Sequence, residues 1–181
     1  MSLPRALSLD AAGRLVQQPI PELARLRGAP VCIGPLELGS DSPAKRGLCR
    51  ELTRQSYRVE GVTGDTLEVE AEVELGSAVA VELALCDDAG ADAVRIRYDG
   101  QALDANGTIL PRVLGDDLRR LKLHLFYDKS LMELFINDGL QTVTRVAIPP
   151  SPALHLEVAA NDGMATVRDL TLWPIKPSEE Y

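Results

Sequence analysis

The sequence predicts an all-β protein, an antiparallel two-sheet β-sandwich entered through a short N-terminal connecting segment. Three observations carry this. Residues 67–75 read Leu-Glu-Val-Glu-Ala-Glu-Val-Glu-Leu, an unbroken apolar and acidic alternation that marks a half-buried strand. Similar short segments then follow one another, with turn residues between them at nearly every junction. Helical periodicity does not alternate with these strands, so a doubly wound parallel sheet is disfavoured.

Taken in order, the first element is a short helix over 21–27, where Pro21 suits a first turn and Gly28 can end it. In the strand 67–75, Glu68, Glu70, Glu72 and Glu74 share one face and are expected to be solvated. Their mutual repulsion calls for cations on a neighbouring strand, and Arg95 and Arg97 have the right spacing. Further strands are expected at 78–86, 94–98, 121–127, 131–136, 142–148, 154–159 and 165–173. Turn signals separate them at 61–65, 87–92, Asp99-Gly100, Asn106-Gly107, Asn137-Asp138-Gly139 and Asn161-Asp162-Gly163.

The hairpin over 131–148 has apolar groups on both faces. Met132, Leu134 and Ile136 fall on one side, and Leu131, Glu133 and Phe135 on the other. In the strand before it, Leu121, Leu123, Leu125 and Tyr127 alternate against Lys122, His124 and Phe126. Phe126 and Phe135 thus belong to an outer row and form a candidate interface, since two exposed rings side by side call for a cover. A partner surface and a loop of the same chain are both possible covers. Asn137, Asp138 and Gly139 tolerate the positive φ of a tight turn and fix the hairpin register. Asp128 and Ser130 can bond backbone N–H groups at the bend entering the hairpin. Glu133 either pairs with a cation or meets another domain.

Composition bounds the function. The 181 residues are 45% apolar and 25% charged, an ordinary globular composition in one domain, able to bury roughly 70% of its unfolded surface. Twenty-seven acidic against 19 basic residues give a net charge of −8, which argues against nucleic acid as a partner. No apolar run approaches the roughly 18 residues of a membrane helix, and residues 1–10 lack the pattern of a signal peptide. A cytoplasmic protein with no membrane partner is expected. Cys32, Cys49 and Cys86 stand far apart, and His124 and His155 sit alone in apolar stretches. Their spacing suggests no metal site, and the odd cysteine count fits a reducing compartment.

The run Asp128-Lys129-Ser130-Leu131-Met132-Glu133-Leu134-Phe135-Ile136-Asn137-Asp138-Gly139, followed by Thr144 and Pro149, resembles a family signature. It is similar to D-R-S-S-x-E-x-F-x-N-D-G with a later Thr and Pro, in the C-terminal β-sandwich of glycoside hydrolase family 32, the invertases, sucrose-6-phosphate hydrolases, levanases and inulinases. Lys129 replaces the usual Arg and Leu131 the usual second Ser. Leu3-Pro4-Arg5, the run Gly13 to Pro19, Glu22 and Arg27 resemble the same family's passage from propeller to sandwich. The likeness is weaker over 36–66 and 98–106, where Tyr98-Asp99 is kept but the Arg-Ser of a following D-R-S is not.

The resemblance implies a jelly-roll, concanavalin-like sandwich over 36–175, with residues 1–35 as the connecting segment and 176–181 as a tail. Asp128, Ser130, Glu133, Phe135, Asn137, Gly139 and Thr144 become its structural signature. It also implies a parent enzyme in which an N-terminal five-bladed propeller supplies an aspartate nucleophile, a glutamate acid/base and a third acid, and needs no cofactor. Two carboxylates about 5 Å apart would act on the fructosyl bond. The propeller motifs W-x-N-D-P-N, R-D-P and E-C do not occur here, so no catalytic residue is assigned. The expected role is an accessory domain that stabilises the propeller and its assembly, with homo-oligomerisation possible. A stand-alone carbohydrate-binding module is the alternative, but aromatic residues total only 4% and stacking on sugar would fall mainly to Trp173.

Overall fold

The computed structural model describes residues 2–39 and 54–176. Cys49 and residues 177–181 lie outside the described residues. The chain opens with β1 (Arg5–Leu9) and β2 (Leu15–Pro19), then a 3₁₀ helix (Pro21–Leu26). There follow β3 (Val31–Ile33), β4 (Leu36–Gly39), β5 (Arg54–Arg58), β6 (Thr66–Glu74), β7 (Ala80–Cys86) and β8 (Asp92–Tyr98). The remaining strands are β9 (Leu103–Ala105), β10 (Thr108–Leu110), β11 (Arg120–Asp128), β12 (Leu131–Ile136), β13 (Gln141–Val146), β14 (His155–Asn161) and β15 (Met164–Pro174).

Two antiparallel sheets face each other. One is six-stranded, in the order β10-β9-β8-β7-β14-β5. The other is seven-stranded, in the order β13-β12-β11-β6-β15-β3, with β4 also pairing with β15. A separate two-stranded arm is made by β1 and β2. β3 belongs to the sandwich although it lies within the expected connecting segment, because it pairs with Leu170–Leu172 of β15.

Alternation decides which residues enter the core. Val69, Val73, Leu123, Leu125 and Leu134 of one sheet meet Leu83, Leu85, Ile96, Leu156 and Val158 of the other in a single apolar cluster. Burying each of these side chains stabilises the fold by about 1.5–3 kcal/mol. Tyr127 is buried with them and its hydroxyl donates to the Ala147 carbonyl at 2.8 Å. Burial pushes that phenol up to about 12.

Two expectations are corrected. Arg95 and Arg97 do not face the glutamate row of β6, since they stand on β8 of the other sheet, where both reach Glu82. The row is not uniformly solvated either: Glu68 is 1% exposed. Alternation fixes the face a residue takes but says nothing about what lies over that face. The expected helix is present as a 3₁₀ turn, and Gly28 serves a different purpose from ending it. A Cβ there would stand 2.9 Å from Cγ and 3.1 Å from the carbonyl oxygen of Pro174, so only glycine lets the segment lie against β15.

Candidate functional site

The outer face of the seven-stranded sheet carries two cross-strand rows. Register places Trp173, Glu68, Phe126, Glu133 and Thr144 in one row, and Thr171, Glu70, His124, Phe135 and Thr142 in the next. The residues 2–27 lie over them, held by an arginine at each end.

Arg5 is the first of these. One terminal nitrogen donates to Glu133 at 2.6 Å and to Thr144 at 2.9 Å. The other donates to Thr142 at 3.3 Å and to Gln17 of the arm at 3.1 Å. Its guanidinium lies 5.1 Å from the Phe135 ring centre, within cation–π range. Glu133, 1% exposed, also accepts the Leu3 N–H at 2.5 Å and the Ser2 hydroxyl at 3.1 Å. A buried carboxylate is tolerable only with such a set of donors.

Arg27 repeats the arrangement at the other end. Its guanidinium sits 4.0 Å over the Trp173 ring and makes a two-point contact with Glu68 at 2.7 and 2.9 Å. It also reaches Glu70 at 2.7 Å, and Glu68 is 2.6 Å from His124 Nε2. Burial alone would raise the Glu68 carboxyl, but the bonds from His124 and Arg27 outweigh it and hold the group below the usual glutamate range. Hydrogen bonding to Glu68 in turn raises Arg27.

The signature residues therefore divide by function. Glu133, Phe135 and Thr144 form the Arg5 socket. Gly139 has φ +89° and its carbonyl accepts the Gln17 N–H at 2.9 Å. A Cβ on it would fall 2.0 Å from the Gln17 carbonyl oxygen, so the turn is shaped to receive the arm. Asn137 donates to the Leu114 carbonyl at 2.7 Å and accepts from the Lys122 N–H at 3.0 Å, fixing the preceding loop. Asp128 and Ser130 act otherwise than expected. Among the described residues their side chains make no hydrogen bond, and the bend is closed by backbone bonds from Lys129 to Asp65 and from Ala147 to Ser130.

The candidate interface is corrected as well. Phe126 and Phe135 do lie on the outer face, in T-shaped contact at 6.2 Å, but they are 7% and 2% exposed. Their cover is the chain itself: Leu3, Leu23 and Leu26 line the small cavity over Phe126, and Arg5 covers Phe135. The exposed apolar surface lies further out on the arm. Leu9 pairs directly with Leu15 and Leu7 with Gln17, which puts all three leucines on one face. They are 69%, 52% and 66% exposed in the order Leu9, Leu15, Leu7. Sequence reasoning missed this patch, although alternation over 5–9 was there to be read.

Between arm and sheet runs a groove of about 410 Å³ lined by Gln18, Glu70, Glu72, Lys122, His124 and Asp169 among others. The ring at its floor, Phe135, is buried, and the guanidinium of Arg27 occupies one face of Trp173. Neither ring is left as an open platform for a sugar.

The model of the C-terminal domain of glycosyl hydrolases family 32 matches residues 36–174. The chain belongs to that family. Two curated relatives extend the likeness to the arm: the levanase of Bacillus subtilis (strain 168) is 28% identical over 97% of this chain, and the raffinose invertase of Escherichia coli 29% over 96%. The matched stretches make up 27% and 34% of those proteins, so the chain spans about a third or less of the curated relatives it matches. The sandwich superposes on fructan 1-exohydrolase IIa from Cichorium intybus with a TM-score of 0.72 at 18% identity, covering 98% of this chain and 41% of that one. Exo-inulinase from Aspergillus awamori gives 0.68 at 21%, with 98% and 36% covered. In each of those proteins the matching domain is one part of a longer chain.

Proposed function

We propose that the chain is the accessory sandwich of a β-fructosidase and that the leucine face of its arm docks on an N-terminal propeller in the same polypeptide. In this reading the propeller removes terminal fructose from sucrose, sucrose phosphate or fructans by a retaining mechanism without a cofactor, and the sandwich stabilises it. One observation carries the reading: Leu7, Leu9 and Leu15 are more than half exposed on a two-stranded arm anchored to the sheet through Arg5. An isolated hairpin is marginal in water, so an exposed apolar face on one calls for a cover. A partner tethered just before β1 has a high effective concentration there. The relatives' additional length supports such a partner. The unbridged thiols of Cys32 and Cys86 fit the cytoplasmic setting.

The test has two arms. Alone, the chain is expected to release no fructose from sucrose or levan, and release above a mock preparation would sink the reading. In the product of the full reading frame, amides 5–19 are expected to exchange at least about tenfold more slowly than in the isolated chain. Equal exchange in both would show that nothing docks on the arm.

A further inference from the structure

Two groups of side chains among the described residues bring three metal-capable ligand atoms within 4.8 Å of one another. The first is Glu68, Glu70 and His124. Arg27 already fills it, with its guanidinium 2.7 Å from both carboxylates, so the positive charge a metal would bring is supplied. The second is Cys86, His155 and Glu157 on the outer face of the six-stranded sheet.

The fold builds this second group from distant sequence. His155 stands directly opposite Cys86 in the β14–β7 ladder, and Glu157 follows two residues later on the same face. Leu154, Leu156 and Val158 take the opposite parity and enter the core. Cys86 and His155 are 4% and 5% exposed, which shields their donor atoms from water. Cys86 Sγ lies 3.3 Å from His155 Nε2.

We propose that Cys86, His155 and Glu157 form a zinc site. A thiolate, an imidazole and a carboxylate are the donors of a borderline-soft ion, whereas magnesium and calcium take oxygen ligands. Sulfur at about 2.3 Å and nitrogen at about 2.0–2.1 Å from one tetrahedral zinc stand roughly 3.5 Å apart, so the observed separation needs only a few tenths of an ångström of adjustment. Thiolate and carboxylate together balance the two charges of the ion, and the thiol proton leaves to solvent on binding. A water completes the fourth position.

A second observation points the same way. His155 Nδ1 is buried without a hydrogen-bond partner, and a carboxylate oxygen of Asp88 stands 3.7 Å from it. Metal on Nε2 fixes the proton on Nδ1, and a small rotation lets Asp88 accept it, the outer-shell arrangement metal-bound histidines favour.

The test uses the 181-residue chain in a Cys32→Ser/Cys49→Ser background, stripped with chelator and titrated with zinc against a chromophoric competitor. Stoichiometric binding is expected, with Cys86→Ser and His155→Gln each weakening it by well over tenfold and Asp88→Asn by about tenfold. Cobalt(II) in the same site is expected to show a thiolate charge-transfer band. No zinc retained by the folded chain, or binding indifferent to Cys86→Ser, overturns the proposal. Should Cys86→Ser fail to fold, the cobalt spectrum of the background protein decides: the band supports the site, and a cobalt complex without it refutes it.

Discussion

On the seven-stranded sheet the outer face buries two carboxylates as deeply as core leucines, Glu68 and Glu133, each 1% exposed. On the six-stranded sheet the Glu82 side chain keeps 12% of its surface and pairs with Arg95 and Arg97 from the neighbouring strand. The cations differ in origin. Arg5 and Arg27 come from a segment that lies across the sheet, more than forty positions from their partners, Arg27 being the nearer at 41. A cation from the next strand reinforces a ladder that backbone bonds already define. A cation from a covering segment decides how that segment docks, and its carboxylate cannot be hydrated while the segment is in place.

The sharpest way to break this comparison is to remove the rings under the cover. Large-to-small changes at buried Phe cost about 3–5 kcal/mol each. Phe126→Ser with Phe135→Ser is therefore expected to shift the urea midpoint by the largest amount here, and to release the arm. An unchanged midpoint would mean that the rings were never covered. Arg5→Ala should come next, at about 3 kcal/mol, because it leaves Glu133 buried without its cation. Arg95→Ala on the other sheet, in a half-exposed pair, should cost under about 1 kcal/mol. Equal costs for the two arginines would erase the distinction between the faces.

Much of the fold was legible in the chain. The strict alternation of β6, β11 and β12 assigned the faces correctly, and the outer placement of Phe126 and Phe135 followed from it. Alternation could not tell that residues 2–27 would fold back over those rings, because the partners of Glu133 and Glu68 are 128 and 41 positions away. The short strands β3, β9 and β10, three residues each, carry too few alternations to stand out. Spacing along the chain likewise hid the approach of Cys86 to His155, 69 residues apart, since sheet pairing and not a ligand motif brings them together.

A smaller effect is expected where the arm meets the hairpin turn. Gly139→Val places a branched side chain at φ +89° and against the Gln17 carbonyl. Backbone strain of this kind costs about 1–3 kcal/mol, and the turn can relieve the clash only by giving up its bond to Gln17. Thermal unfolding should show the loss, and hydrogen exchange should locate it at residues 15–19 as well as at the turn. Loss confined to the turn would mean that the arm is held through Arg5 alone.

The smallest effect depends on pH and tests the second pin. The folded Glu68 carboxyl is held below its ordinary value of 4.5, with bonds from His124 and Arg27 outweighing the opposing effect of burial. The ionised form is thus favoured by folding. Its contribution is complete above the unfolded value and is lost as pH falls through that value toward the lower folded one. Protonation also removes the partner of Arg27, whose hydrogen bond to Glu68 is the main cause of its own upward shift. Denaturation midpoints measured from about pH 6 down to about pH 3 should fall, with faster exchange over residues 21–27 accompanying the fall. Glu68→Gln should be less stable at neutral pH and show a flatter acid limb. An acid limb as steep as the wild type's would place the titrating group elsewhere and leave Arg27 held by Glu70 and Trp173.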